Sequence, residues 1–144
     1  MKKFLLIVLL LITPLAMSSQ SLSEYQWKNR IVVIFTEAKD SKEFKEQLEQ
    51  FEGFQNNPKG FKERKLVLIH ALPEKHRTVI PNESEWQDSK LYQKMKKSEE
   101  PFEVILIGLD GGVKLRQQEI LETKKLFDLI DSMPMRQAEI RRNN

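Results

Sequence analysis

The sequence predicts an α/β fold: a four-stranded mixed sheet with helices on both faces. Three observations predict it. The runs Ile31 to Phe35, Leu66 to Ile69 and Val104 to Ile107 are short, apolar and unbroken, as strands buried on both faces are. Stretches of helical period separate them. Asp110-Gly111-Gly112 then stands before Val113-Lys114-Leu115-Arg116, the chemistry of a tight hairpin whose turn needs positive φ.

The elements follow in order. Ser19 to Gln26 is polar and reads as a lead-in, and Trp27-Lys28-Asn29-Arg30 introduces the first strand. A helix is expected from about Asp40 to Phe54. Phe44, Leu48 and Phe51 recur at helical spacing there, and Asp40 with Glu43 reads as a capping box. Gly53 and Asn56 to Gly60 turn the chain into the second strand, Leu66 to Ile69. Ala71 to Asn82 reads as irregular, because Pro73 and Pro81 forbid a long helix. A second helix is expected from Ser84 to Lys97, capped by Ser84 with Gln87 and facing inward through Leu91 and Met95. The third strand and hairpin precede a last helix, Glu122 to Met133, stopped by Pro134. Helix-separated strands imply parallel neighbours with right-handed crossovers, and the hairpin makes the last strand antiparallel. The strand order 2-1-3-4 that results is thioredoxin-like.

Residues 1–18 read as a signal peptide. Lys2 and Lys3 precede the apolar run Phe4 to Ile12, Pro14 breaks it, and Ala16-Met17-Ser18 offers small residues for cleavage after Ser18, or else after Ala16. The run is too short for a spanning helix, which needs roughly 20 apolar residues, so no membrane anchor is expected after cleavage. The expected location is exported, periplasmic or secreted. Cleavage removes two of the 24 cations and none of the 21 acids, lowering the formal charge from +3 to +1. That balance gives no case for nucleic acid. The remaining organisation is a lead-in at 19–26, one domain at 27–136 and a charged, frayed tail at 137–144. There is no cysteine. Thiol–disulfide and thiol-peroxidase chemistry are therefore excluded, and the core must stand without disulfides.

Few constellations carry chemistry. Asp40 and Glu43 fall where a thioredoxin places its thiol pair, but the helix dipole lowers carboxylate pKa values there, which suits a cap rather than a general acid. His70 and His76, with Glu74 between, lack the further ligands and fixed face that zinc requires. No nucleophile elbow, Walker loop or Gly-x-Gly-x-x-Gly occurs, so neither a cofactor nor a metal is expected. Trp27 and Trp86 read as core or rim packing. Lys114 and Arg116 alternate on the last strand and Arg136 follows the last helix; together they form the candidate binding patch, suited to an acidic protein or peptide, against the plainer reading of a guarded sheet edge.

Trp27-Lys28-Asn29-Arg30, the segment Val104 to Arg116 and Met133-Pro134-Met135-Arg136 together resemble the domain of unknown function 4174, over Trp27 to about Ile140. The resemblance implies a thioredoxin-like fold in exported bacterial proteins, similar to a domain of vertebrate extracellular proteins with sushi repeats. It implies no established reaction. Active thioredoxin relatives place a cis-proline before the third strand; here Phe102 takes that position and Pro101 sits one residue early. The function expected is an exported, non-catalytic protein- or peptide-binding module. A thiol-independent redox enzyme, a carboxylate-based hydrolase and a structural envelope protein are the alternatives.

Overall fold

The computed structural model describes residues 22–51 and 58–144. The expected signal peptide, the start of the lead-in and the turn around Gly53 and Asn56 lie outside the described residues.

Among the described residues the sheet has six strands rather than the four expected. They are β1 (Arg30–Phe35), β2 (Leu66–Leu72), β3 (Lys75–Ile80), β4 (Gln87–Asp88), β5 (Glu103–Ile107) and β6 (Val113–Gln117), in the order β4-β3-β2-β1-β5-β6. The expected 2-1-3-4 arrangement survives inside it as β2-β1-β5-β6. The helices are α1 (Lys42–Gln50), α2 (Pro58–Glu63), α3 (Leu91–Met95), α4 (Thr123–Asp131) and α5 (Pro134–Asn143), after a 3-10 turn at Leu22–Tyr25.

The segment expected to be irregular is an antiparallel hairpin. β2 runs on through His70 and Leu72, turns at Pro73-Glu74 and returns as β3, with His70 opposite Arg77 and Ala71 opposite His76. The expected helix from Ser84 is absent. Ser84 Oγ accepts the Thr78 N–H at 2.9 Å, pinning β3, and β4 follows in its place. Only α3 remains, five residues or roughly 7.5 Å of helix. A parallel crossover needs a dozen or more residues. The connection from β2 to β5 has that length but is spent on β3, β4 and the short α3 rather than on one covering helix, and β5 runs antiparallel to β1, with Val33 opposite Ile105; this corrects the parallel pairing expected there. β1 and β2 are parallel as expected.

The continuous apolar strands are buried on both faces because helices cover both. Val32, Ile34, Leu68 and Leu106 pack under Phe44, Phe61, Leu126 and Ile130 of α1, α2 and α4. Ile31, Val33, Phe35, Ile69 and Ile105 pack under Leu91, with Tyr92, Met95, Leu22 and Tyr25 at the margin. Each full burial of such a side chain contributes about 1.5–3 kcal/mol. Phe102 joins the first of these cores. Among the described residues the cis peptide is Ile80–Pro81; Glu100–Pro101 is not cis.

The tail expected to fray is α5. Pro134 stands in its first turn, where its fixed φ suits a helix start and its missing N–H costs nothing. Its inner face is charged. Arg136 and Glu139 are both buried, so the helix docks through ions rather than through an apolar stripe.

Candidate functional site

The three cations of the expected patch have different fates. Arg116 lies opposite Ile105 and donates to the Glu103 carboxylate at 2.6 Å and to the Met95 carbonyl at 2.8 Å. Glu103 is fully buried and also accepts the backbone N–H groups of Lys97 and Ser98. Burial alone would raise its pKa; those two N–H groups, then Arg116 and Gln118, hold it below the ordinary carboxylate value.

Arg136 belongs to a second internal network. It donates to Asp131 at 3.1 Å, to the Glu63 carbonyl and to Glu139 at 3.4 Å. Glu139 also pairs with Arg30 at 3.2 Å and Lys65 at 3.5 Å, and Asp131 pairs with Arg64 at 2.7 Å. Arg30 opens β1 and is 1% exposed, so Glu139 neutralises a charge set at the entrance to the sheet. Burial would raise both the Glu139 and Asp131 carboxyls; their arginine partners hold them low.

Lys114 alone stays on a rim. The register slips between Leu106 and Ile107, taking Leu115 to Val113 across the pair, so Lys114 is the extra residue of a bulge. The strict alternation that would set it beside Arg116 is therefore broken. Its ammonium pairs with Asp110 at 2.8 Å in the hairpin turn, where Gly111 adopts φ +84°.

Beside Lys114 lies a depression of about 480 Å³, walled by Leu109, Leu129, Met133, Pro134 and Met135. Among the described residues the exposed large apolar side chains are Trp27 (62%), Met135 (44%) and Val113 (41%), and all belong to this end of the molecule. Trp27, at φ 67°, ties its backbone N–H to the Leu109 carbonyl at 2.6 Å; Val113 precedes Lys114 in the hairpin. Trp27 is thus neither core nor rim packing.

The position after β1 carries no carboxylate pair. Ser41, not Asp40, caps α1: its Oγ accepts the Phe44 N–H at 3.0 Å and donates to Glu43 at 3.2 Å. Asp40 sits exposed ahead of the helix because a serine one residue later reaches the same N–H groups. His70 and His76 are both buried but belong to opposite faces of the β2–β3 hairpin, so they share no ligand. His70 stacks on Phe44 with ring centroids 3.7 Å apart and bonds Thr36 Oγ1 through Nε2 at 2.7 Å. Thr36 donates its own proton to the Ala38 carbonyl, so His70 Nε2 is the donor and Nδ1 carries the lone pair. Burial, then the charge of Arg77, pushes the His70 pKa down to about 3. Among the described residues no group of three or more potential ligands gathers to hold a metal, and no helix is long and apolar enough to cross a membrane.

The family model described as Domain of unknown function (DUF4174) matches residues 21–139, nearly the whole described domain. The chain belongs to this family. No curated protein matches it. For this DUF4174 domain the description leaves activity open, and the chemistry has to be argued from its surfaces.

Proposed function

We propose that this chain is an exported, non-catalytic thioredoxin-like domain that binds an extracytoplasmic protein or peptide at its hairpin end. The β2-β1-β5-β6 core supports the thioredoxin-like reading, and the apolar segment from Phe4 to Ile12 behind two lysines supports export. The observation that carries the binding role is exposed Met135 on the wall of the depression beside Leu109, with exposed Trp27 tied through its backbone to the Leu109 carbonyl and exposed Val113 in the adjoining hairpin. Exposed apolar side chains grouped in this way, rimmed by charge, mark protein contact surfaces. Aromatic and methionine side chains suit the centre of such a contact. Lys114 and Asp110 form the rim, and Lys114 favours a partner with an acidic group beside its apolar anchor. Arg116 and Arg136 serve the scaffold. The absence of cysteine leaves a thiol route closed.

The test is cross-linking of the purified protein to its own extracytoplasmic fraction beside the variant Trp27→Ser/Met135→Ser. The expected result is loss of a specific adduct with an unchanged melting temperature. The same adducts from both proteins would overturn the site. A mature chain still beginning at Met1, seen by intact mass, would overturn export.

A further inference from the structure

The opposite end of β1 presents a different surface. Trp86 lies half-buried there, its ring edge-on to His70 with centroids 5.4 Å apart. Three cations from two segments surround its indole. Arg77 stands 4.9 Å from the ring centroid, Lys39 5.3 Å and Lys75 5.7 Å. Lys75 and Arg77 alternate on β3, on the same face as His70, and Lys39 comes from the chain between β1 and α1.

Little within the protein offsets these charges. Arg77 reaches Glu83 only at 3.8 Å, and Glu83 is 67% exposed. The Arg77 Nε is buried with no hydrogen-bond partner. Among the described residues neither Lys39 nor Lys75 forms an ion pair with a carboxylate, although Asp88 is the cross-strand neighbour of Lys75. The Lys39 pKa is lowered, first by its contact with Lys75 and that group's charge, which agrees with ammonium groups held close together. The indole face gathers cations that would otherwise separate.

We propose that Lys39, Lys75, Arg77 and Trp86 form a binding site for a dianionic phosphoryl group. Of the three cations only Arg77 is paired with a carboxylate, at 3.8 Å, so positive charge is left in excess, as a phosphate monoester near neutral pH requires. The Arg77 guanidinium, held only by a long contact to Glu83, offers the bidentate geometry that phosphate oxygens accept, and the lysines add point charges. The site lies on the face of the β2–β3 hairpin near the carboxyl ends of the parallel pair β1 and β2, the end at which open α/β sheets commonly hold ligands. It is separate from the hairpin end and stands or falls independently of it. The phosphoryl group has two sources, free phosphate or a phosphorylated molecule whose organic part stacks on Trp86.

The test uses the Trp27→Phe protein, in which Trp86 is the only tryptophan and its emission reports the site. Inorganic phosphate and phenyl phosphate are titrated at constant ionic strength set with chloride. A saturable change in emission is expected, weakened about tenfold or more in Lys39→Gln/Lys75→Gln with an unchanged melting temperature. Should the double variant fail to fold, Lys39→Gln alone, in an exposed loop, provides the same comparison. Tighter binding of phenyl phosphate assigns the site to a phosphorylated ligand; equal or tighter binding of inorganic phosphate assigns it to the free anion. No saturable response to either probe overturns the proposal, as does a response that the lysine variants leave unchanged.

Discussion

Lowering the pH from about 7.5 to 5 should cost the fold about 2 kcal/mol through His70 alone. Its ring is sealed between Phe44, Thr36 and Trp86, and in the folded state its pKa is pushed down to about 3. Unfolded, it titrates near 6.5. The unfolded chain therefore binds the proton first, and stability is complete above pH 6.5 and drains away as the pH falls toward 3. Across that window the slope approaches about 1.4 kcal/mol per pH unit for one group. His76, whose pKa burial also lowers, adds in the same direction. The carboxyls held low by arginine partners, Glu103, Asp131 and Glu139, lose their contributions only below about pH 4.5, so the window from 7.5 to 5 isolates the histidines. Urea unfolding of wild type and His70→Phe across that range measures the effect. The phenyl ring keeps the stack on Phe44 and forfeits the Thr36 hydrogen bond, a loss of about 1 kcal/mol at pH 7.5. Its dependence on pH should be visibly flatter. An identical slope in the two proteins would refute the assignment.

Two further outcomes follow from the buried charges. Glu103→Gln leaves the partly buried Arg116 without its carboxylate and should lower stability by about 2–3 kcal/mol in urea unfolding; an unchanged midpoint would show that Arg116 simply turns out to solvent. Ending the chain after Ser132 removes Glu139 from Arg30 and should lower stability by about 3–5 kcal/mol, whereas a melting temperature equal to that of the full chain would make α5 dispensable.

The readable parts of the sequence were those governed by burial. β1, β2 and β5 announced themselves because two-sided covering leaves unbroken apolar runs, and β6 because the glycines of the hairpin allow little but a turn. β3 was hidden because Lys75-His76-Arg77-Thr78 reads as polar loop between prolines, while in the fold His76 is buried and its neighbours face a half-covered edge. The stretch around Trp86 imitated a helix through Leu91 and Met95, a spacing of four that here spans only α3. α5 gave no apolar period because its inner face is Arg136 and Glu139. The cationic ring at Trp86 was illegible for another reason: its members, Trp86 among them, come from three segments, and only the unforeseen β2–β3 hairpin brings them together. Lys114, Arg116 and Arg136 looked alike as charges, and their separate uses depend on Glu103, Asp131 and a one-residue bulge.

The ionic docking of α5 also determines how its release would look to a calorimeter. Heat capacity rises when apolar surface meets water and falls when polar surface does. Detaching α4 uncovers Leu126 and Ile130 and carries the positive increment typical of melting. Detaching α5 uncovers guanidinium and carboxylate along with the apolar groups beside them, such as Leu129 and Met133, so the two increments oppose each other and the event leaves a smaller baseline step. Hydrating those ions also becomes less rewarding as temperature rises, which holds the helix in place while the apolar layers weaken. A form with α5 loosened would thus be thermally quieter, and amide exchange at Arg136 to Glu139 would reveal it where a heat trace shows little.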